Sequence, residues 1–420
     1  MCCGDYLDLI SNFPNYLNNL ENCCKVKETL SKICSIFCHE NFVILPIFND
    51  IKFIDLLTSF LNFGGEEAIY ILKIVGNIWY HLDKFNNCFT DKKLVRRVCQ
   101  CCSNFGAPDI LPFAFFAIAN FYGISREARI DVMEMDLKNS LLRFLRSYSR
   151  NQHLKAGLRL LNNLFLYDDD HDDDNFNVQV IPILRCHLMY INPEIRVLSA
   201  KCLNYLLLKR KYLDKMIEYD VPENIAICLI ESNNKRMYLS EIFDSAYFFV
   251  KEGICEYFLT FEFIDSIRIV LNNEQMNVNF YSLFKLFSIL IPKIYETFNK
   301  LLFEDILPLL CEYSLKSVFQ NKIGACLCIS KILELSTTEV KLELAEKGVL
   351  EAFIIILENE NETDLCWLLY HIYNIICLDC NRFKQVCYDN HLLDIISEIV
   401  CDNEYINTYI NLIIDLLKDD

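Results

Sequence analysis

A series of asparagines recurs at nearly constant spacing along the chain and could hold a peptide backbone. Asn77, Asn120 and Asn163 are each 43 residues apart, and Asn204 follows 41 residues later. An asparagine amide both donates and accepts hydrogen bonds, so it can pair with backbone N–H and C=O groups without reading side chains. Each of these asparagines stands in a mostly apolar stretch, where an amide buried without partners would cost free energy. The spacing therefore predicts a ladder of polar groups along one surface.

The same register continues toward the C-terminus, with other residues at some of the ladder positions. Steps of 41 or 43 residues lead from Asn204 to Ser245, Ser288, Lys331 and Asn374, and counting back from Asn77 leads to Cys34. Residues four and seven positions earlier share a helix face with the ladder position. Aromatic or basic residues at those places join the candidate site: Tyr70, Lys73, Phe113, Phe116, Arg159, Tyr281, Phe284, Trp367 and Tyr370. Aromatic faces attract cations and pack against their methylene stems.

Two structural interpretations of this pattern stay open beside a binding site. A polar residue on a helix also serves to bond a neighbouring segment, which satisfies its amide without any ligand. An aromatic stripe at helical spacing also serves to pack one helix against the next.

The elements that must position these residues are helices. The chain of 420 residues is 53% apolar and 23% charged, with only 10 glycines and 9 prolines, and its apolar residues recur at steps of three and four. The clearest repeat runs from Thr337 to Leu378 and contains TTEVKLELAEK, GVLEAFIIILEN and ETDLCWLLYHIYNIICL. This pattern predicts a short helix, a medium helix and a long third helix that carries the ladder position.

Residues that favour turns or helix starts mark the joins between these helices. The chain is expected to bend at Asp136, Asp220, Asp305 and Gly348. Asn192 can cap a helix, Pro193 fits its first position and Glu194 suits its dipole. Pro308 falls in the first turn of another helix, where proline is tolerated.

Three helices in a period of about 43 residues resemble the armadillo repeat. The resemblance implies an all-α fold, an armadillo-type α-solenoid forming a right-handed superhelix of about nine to ten three-helix repeats. We expect an N-terminal capping repeat at 1–40, armadillo repeats at 41–378 and a C-terminal capping repeat at 379–420. HEAT repeats are the alternative solenoid.

The stretch ILKIVGNIWYH resembles the third helix of an importin α repeat. In that family, groove asparagines clamp the backbone of a basic nuclear-localisation peptide, and tryptophans four residues earlier hold lysine and arginine stems. The resemblance implies an adaptor for nuclear protein import that binds extended basic peptide segments through the candidate residues named above. This sequence lacks tryptophan at those places, and Lys73 and Arg159 would repel a basic peptide locally. Residues 1–40 contain only three lysines, which leaves engagement of importin β open.

Composition and the lack of catalytic motifs limit the other functional classes. The formal net charge of −17 disfavours nucleic acid as the main partner. With no glycine-rich phosphate loop, nucleophile elbow or HExxH motif, we expect neither an enzyme nor a cofactor. No signal peptide or long apolar span is evident, so we expect a cytoplasmic monomer that shuttles to the nucleus, without membrane contact. A general armadillo scaffold in cytoskeletal, adhesion or assembly complexes is the alternative function.

Two further clusters could bind ions. The acidic tract from Asp168 to Asp174 is interpreted as a solvated loop, with binding of a basic segment or a divalent cation as the functional alternative. Cys377 and Cys380 have metal-ligand spacing, and Cys387 and His391 follow, but these residues fall in separate predicted helices. The 22 cysteines are otherwise expected to be reduced and buried as small apolar side chains.

Overall fold

The computed structural model describes the chain in segments that contain only helices, turns and irregular backbone. The described residues are 12–21, 25–38, 51–61, 65–81, 91–167, 173–231, 240–272, 280–357 and 362–418. They divide into two compact units, Met1–Tyr219 and Asp220–Asp420. Within the described residues, each unit is all-α, as the sequence predicts.

The first unit contains twelve α-helices within its described residues. They are α1 (Phe13–Glu21), α2 (Val26–Phe37), α3 (Ile51–Phe60), α4 (Gly65–Tyr80), α5 (Lys92–Cys102), α6 (Leu111–Tyr122), α7 (Arg126–Met133), α8 (Leu137–Ser147), α9 (Asn151–Leu166), α10 (Asp174–Leu188), α11 (Pro193–Leu208) and α12 (Leu213–Glu218).

The second unit adds twelve further α-helices within its described residues. They are α13 (Val221–Glu231), α14 (Ser240–Lys251), α15 (Phe261–Asn272), α16 (Tyr281–Thr297), α17 (Leu307–Lys316), α18 (Phe319–Leu335), α19 (Thr338–Leu344), α20 (Leu350–Leu357), α21 (Glu362–Leu378), α22 (Cys380–Asp389), α23 (Leu392–Glu398) and α24 (Glu404–Leu417). A 3-10 turn lies at Glu256–Phe258, and π-helical turns lie at Leu301–Ile306 and Ala345–Val349.

The long third helices stack on one another in each unit. In the first unit α2, α4, α6, α9 and α11 pack in series. In the second unit α14, α16 and α18 pack in series, and α21 packs against α24. Every ladder position of the sequence falls in one of these helices. Since a single repeat cannot bury its own apolar face, this stacking supplies a continuous core within each unit.

Complete repeats have the predicted three-helix composition. The segments α7–α8–α9, α19–α20–α21 and α22–α23–α24 each contain two shorter helices followed by a longer third helix. This is the arrangement of an armadillo-type solenoid, so the predicted fold class is confirmed. The acidic tract from Asp168 to Asp172 lies outside the described residues.

Most of the predicted helix joins are present. The side chain of Asn192 accepts a hydrogen bond of 3.0 Å from the backbone N–H of Glu194, and Pro193 occupies the first position of α11. Gly348 has φ 91°, which turns the chain between α19 and α20. The predicted bend at Asp305 is wrong, because Asp305 lies inside the π-helical turn that runs directly into α17.

The described cysteines are all free thiols. Those that are buried act as small apolar side chains, as expected: Cys34, Cys99, Cys102, Cys202, Cys228, Cys255, Cys311, Cys326, Cys328 and Cys387.

Candidate functional site

A groove in the first unit brings together several of the predicted site residues. It has a volume of about 380 Å³ and lies across the third helices α4, α6 and α9. We call it the α4–α9 groove. It is lined by Cys38, Lys73, Asn77, Pro112, Phe113, Phe116, Gln152, Lys155, Ala156 and Arg159.

Close packing of α4 against α6 forms one side of the groove. A Cβ atom added to Gly76 would lie 3.1 Å from the ring of Phe116 and 3.3 Å from the backbone of Ala117. The missing side chain therefore lets the Phe116 ring lie directly against α4. This contact places Phe116 beside Asn77, which follows Gly76 in the chain.

The ladder asparagines of the first unit bond mainly to neighbouring helices. Asn120 Nδ2 donates to the carbonyl of Gly76 at 2.9 Å, and Asn163 Nδ2 donates to the carbonyl of Ala119 at 2.8 Å. Asn77 Nδ2 donates to Cys38 Sγ at 3.1 Å. Of these three side chains only Asn77 lines the groove. The amides of Asn120 and Asn163 therefore join successive third helices.

Three cationic side chains face the groove, and one carboxylate balances two of them. Lys73 Nζ lies 4.8 Å from the centre of the Phe113 ring. Glu194 forms ion pairs with Lys155 and, at 3.0 Å, with Arg159. Partial burial would raise the pKa of Glu194, but hydrogen bonds and charges from the two cations outweigh it and lower that pKa. Counting the described residues alone, the groove thus carries an excess of positive charge.

A pair of thiols lies at the edge of the groove. Cys38 is an exposed residue, and its Sγ lies 3.6 Å from the Sγ of the buried Cys34. Hydrogen bonding from Cys34, with smaller contributions from Lys73 and Asn77, outweighs burial and lowers the pKa of Cys38 to about 7. The same hydrogen bond and burial raise the pKa of Cys34 well above its usual range. Cys38 is therefore the more acidic thiol of the pair.

The remaining predicted residues of the first unit lie outside the groove lining. Tyr70 is half-buried on α4, and Asn204 is half-buried on α11, where it has polar interactions of its own. The groove also contains residues that sequence reasoning missed, namely Cys38, Pro112, Gln152 and Lys155. Lys155 and Gln152 stand 8 and 11 residues before Asn163, so extending the helical spacing by one more turn would have found them.

In the second unit, two of the predicted residues are part of the core. Phe284 is 0% exposed, and a Cβ atom added to Gly324 would lie 2.7 Å from the Phe284 Cβ atom. Ser288 is 7% exposed and donates to the carbonyl of Lys285 within its own helix. Tyr281 is half-buried, with Lys285 Nζ 4.6 Å from its ring centre. Phe284 therefore packs one helix against the next, as the packing interpretation of the aromatic stripe predicts.

The other predicted residues of this unit belong to an aromatic surface on α21. Tyr370 is 39% exposed, and its ring lies 5.8 Å from that of Tyr409 on α24. Trp367 is half-buried with its ring edge-on to Phe353. Asn374 Nδ2 donates to the carbonyl of Tyr370 at 2.8 Å within the same helix. Trp367, Tyr370 and Asn374 therefore lie on one helix, and the Asn374 amide bonds within that helix.

The described residues contain no cluster of three or more His, Cys, Asp or Glu side chains placed to hold a metal ion. Cys380 Sγ instead donates to the carbonyl of Leu416 at 3.4 Å, and Cys387 is buried. Within the same part of the chain, no helix has the length and apolar character needed to cross a membrane.

Comparison with known proteins gives a structural likeness only. No protein-family profile and no curated protein matches the chain. The chain is similar to the crystal structure of an engineered protein from the Northeast Structural Genomics Consortium, with a TM-score of 0.62 and 13% identity over 94% of this chain and 95% of that one. It is also similar to computationally designed armadillo repeat proteins for modular peptide recognition, with a TM-score of 0.42 and 14% identity over 57% of this chain and 98% of that one. The first likeness shows a shared fold, and the three-helix repeats described above make that fold an all-α solenoid.

Proposed function

We propose that this protein is a binding scaffold that holds an extended segment of a partner protein in the α4–α9 groove. The observation that carries the proposal is the combination of side chains in that groove. Phe113 and Phe116 offer apolar ring surface, while Asn77 and Gln152 offer amides at the same opening. A few polar groups placed around an apolar surface are typical of ligand-binding sites.

The hydrogen bonding of Asn77 supports its availability to a ligand. Its amide donates to Cys38 Sγ, and the sulfur of a neutral thiol is a weak acceptor. A peptide carbonyl is a stronger acceptor, so exchanging one partner for the other costs little. Asn120 and Asn163, which bond to helix carbonyls, are better explained as structural links between repeats.

The test is a selection with the full-length protein against a random peptide library, followed by hydrogen-exchange mapping of a selected peptide. We expect enriched peptides that increase protection in α4, α6 and α9. Replacing Phe116 by Ala should weaken those peptides, while replacing the exposed Phe261 by Ala should not. No enriched peptide, or protection confined to other helices, would refute the proposal.

An importin α-like adaptor for basic nuclear-localisation peptides is the second candidate, and the aromatic surface on α21 favours it. The exposed Tyr370 and its neighbour Tyr409 can receive cationic stems, and the overall charge of −17 attracts basic chains. Titration of the full-length protein with a bipartite basic peptide tests this candidate. Tyr370→Ala with Asn374→Ala should weaken binding about tenfold, which corresponds to about 1.4 kcal/mol. Unchanged affinity in the double variant would reject it.

A further inference from the structure

We propose that the α4–α9 groove selects an acidic peptide segment that also presents an apolar side chain. This inference rests on the proposed peptide-binding function and adds the chemical class of the partner. It reverses the charge expected from the resemblance to importin α, because the cations of the groove line the place where that resemblance would put a basic peptide.

The local balance of charge in the groove favours an acidic ligand. Lys73, Lys155 and Arg159 line the groove, and Glu194 is the carboxylate that pairs with the last two. Lys73 has no carboxylate partner within the described part of the chain and lies against the Phe113 ring instead. The described residues of the groove therefore have a net positive charge, although the whole chain has a formal net charge of −17.

Ion pairs near the groove do not remove this excess. At the start of α4, Glu66 pairs with Lys27, and at the start of α9, Arg150 lies 3.5 Å from Asp109. Each pair is balanced internally, so it contributes little net field at the groove. A ligand carboxylate near Lys73 and Arg159 would therefore be attracted, whereas a ligand lysine there would be repelled.

The apolar part of the same surface favours a ligand with an apolar side chain. Pro112, Phe113, Phe116 and Ala156 line the same groove as the cations. The groove has a volume of about 380 Å³, which is near the lower end of the range for ligand-binding sites. An apolar side chain flanked by carboxylates would bury its surface there and bring its charges to the cations at the edges. A purely acidic chain would leave this apolar surface uncovered.

The experiment uses the full-length protein and labelled synthetic peptides of equal length, with binding followed by fluorescence anisotropy. One peptide has Asp and Glu around a central Leu, a second has Asn and Gln in place of the acids, and a third has Lys there. We expect the acidic peptide to bind more tightly than the neutral one, and the neutral one more tightly than the basic one. The acidic peptide should also lose the most affinity as salt is added, since salt screens surface charge.

The variants locate the effect. Lys73→Gln with Arg159→Gln should weaken the acidic peptide about tenfold and should weaken the neutral peptide much less. The matched control is Lys93→Gln with Arg96→Gln, which removes one lysine and one arginine charge from exposed positions on α5. This control should leave the affinity for each peptide unchanged. Phe116→Ala should weaken the peptide with Leu more than the same peptide with Ala at its centre. Circular dichroism checks that each variant remains helical.

The outcomes separate this inference from the function on which it rests. Tightest binding of the basic peptide to the groove would overturn the charge assignment and leave a peptide-binding groove. An equal loss of affinity for the acidic peptide in the control variant would also overturn the charge assignment, because the attraction would then be a general effect of the protein's charge. If a single-stranded DNA oligonucleotide binds the groove more tightly than the acidic peptide and displaces it, the groove is a nucleic-acid site instead. If no peptide binds at all, the proposed function fails as well.

Discussion

The side-chain amide of Asn120 donates a 2.9 Å hydrogen bond to the backbone carbonyl of Gly76 on the preceding third helix. Asn163 repeats this relationship with Ala119 at 2.8 Å. In both cases the acceptor stands one residue before the ladder position of the helix below, so the 43-residue period also sets the bonding partner. The amides therefore connect stacked helices, a role that requires no ligand.

The first prediction follows from this link. Asn120→Ala should lower the free energy of unfolding by about 1 kcal/mol relative to Asn374→Ala. Both changes replace asparagine by a better helix former, but only Asn120 loses a bond between helices, since Asn374 bonds within α21. Denaturant unfolding followed by circular dichroism measures the difference. Equal effects of the two substitutions would mean that the bond between helices contributes nothing measurable.

The second prediction concerns the acidity of Cys38. Because its pKa is lowered to about 7, half of its thiol is ionised near that pH, and the thiolate is the reactive form. Alkylation of Cys38 should rise with pH to a half-maximal rate near pH 7. Mass spectrometry of peptides from the folded protein, labelled at a series of pH values, measures this profile.

The control for Cys38 is removal of its hydrogen-bond donor. Cys34→Ala takes away the thiol 3.6 Å from Cys38 Sγ, so the half-maximal rate should move to higher pH. Cys377, which is also exposed, should keep its own profile in that variant. A Cys38 profile that does not respond to Cys34→Ala would contradict the assigned cause.

The third prediction concerns pH and the buried His187. Burial lowers the pKa of His187 from its ordinary value of 6.5 to about 4. Between these values the unfolded chain binds more protons than the folded one, so stability is present above pH 6.5 and is lost as the pH falls toward 4. At pH 5 the loss from this residue is about 2 kcal/mol. Urea unfolding at pH 7 and pH 5 measures the change.

Two substitutions test the assignment to His187. His187→Gln removes the titrating group and should reduce the loss of stability between pH 7 and pH 5, whatever its effect at pH 7. His391→Asn changes an exposed histidine with positive φ, a conformation that asparagine tolerates, and should leave the loss unchanged. A pH dependence that is the same in wild type and His187→Gln would refute the assignment.

The fourth prediction concerns the close approach of α18 to α16. In Gly324→Ala the new Cβ atom would lie 2.7 Å from the Cβ of Phe284, an atom that cannot move without its backbone. The gain in helix propensity, about 1 kcal/mol, is then exceeded by overpacking, which costs about 1–3 kcal/mol. We expect a lower thermal unfolding midpoint. Gly106→Ala, where the nearest atom is 3.5 Å away, is the control and should not lower it.

The sequence by itself determined the helices, their period and the helix that carries each ladder position. Apolar residues at steps of three and four specify which face of a helix is buried, and this information is local. The repeated step of 43 residues then aligns equivalent positions from one repeat to the next. For this reason Lys73, Asn77, Phe113, Phe116 and Arg159 could be predicted to share one surface, and they all line the α4–α9 groove.

Only the tertiary structure decided which of the aligned residues are open to a ligand and which charge they present. Spacing places Phe116 and Phe284 at equivalent positions, yet Phe284 is fully buried against Gly324 and Phe116 lines a groove. The difference depends on how closely neighbouring helices approach, which is set by side chains about 40 residues away in the chain. The pairing of Glu194 with Lys155 likewise forms between separate helices, so the net charge of the groove could be read only after α9 and α11 were packed together.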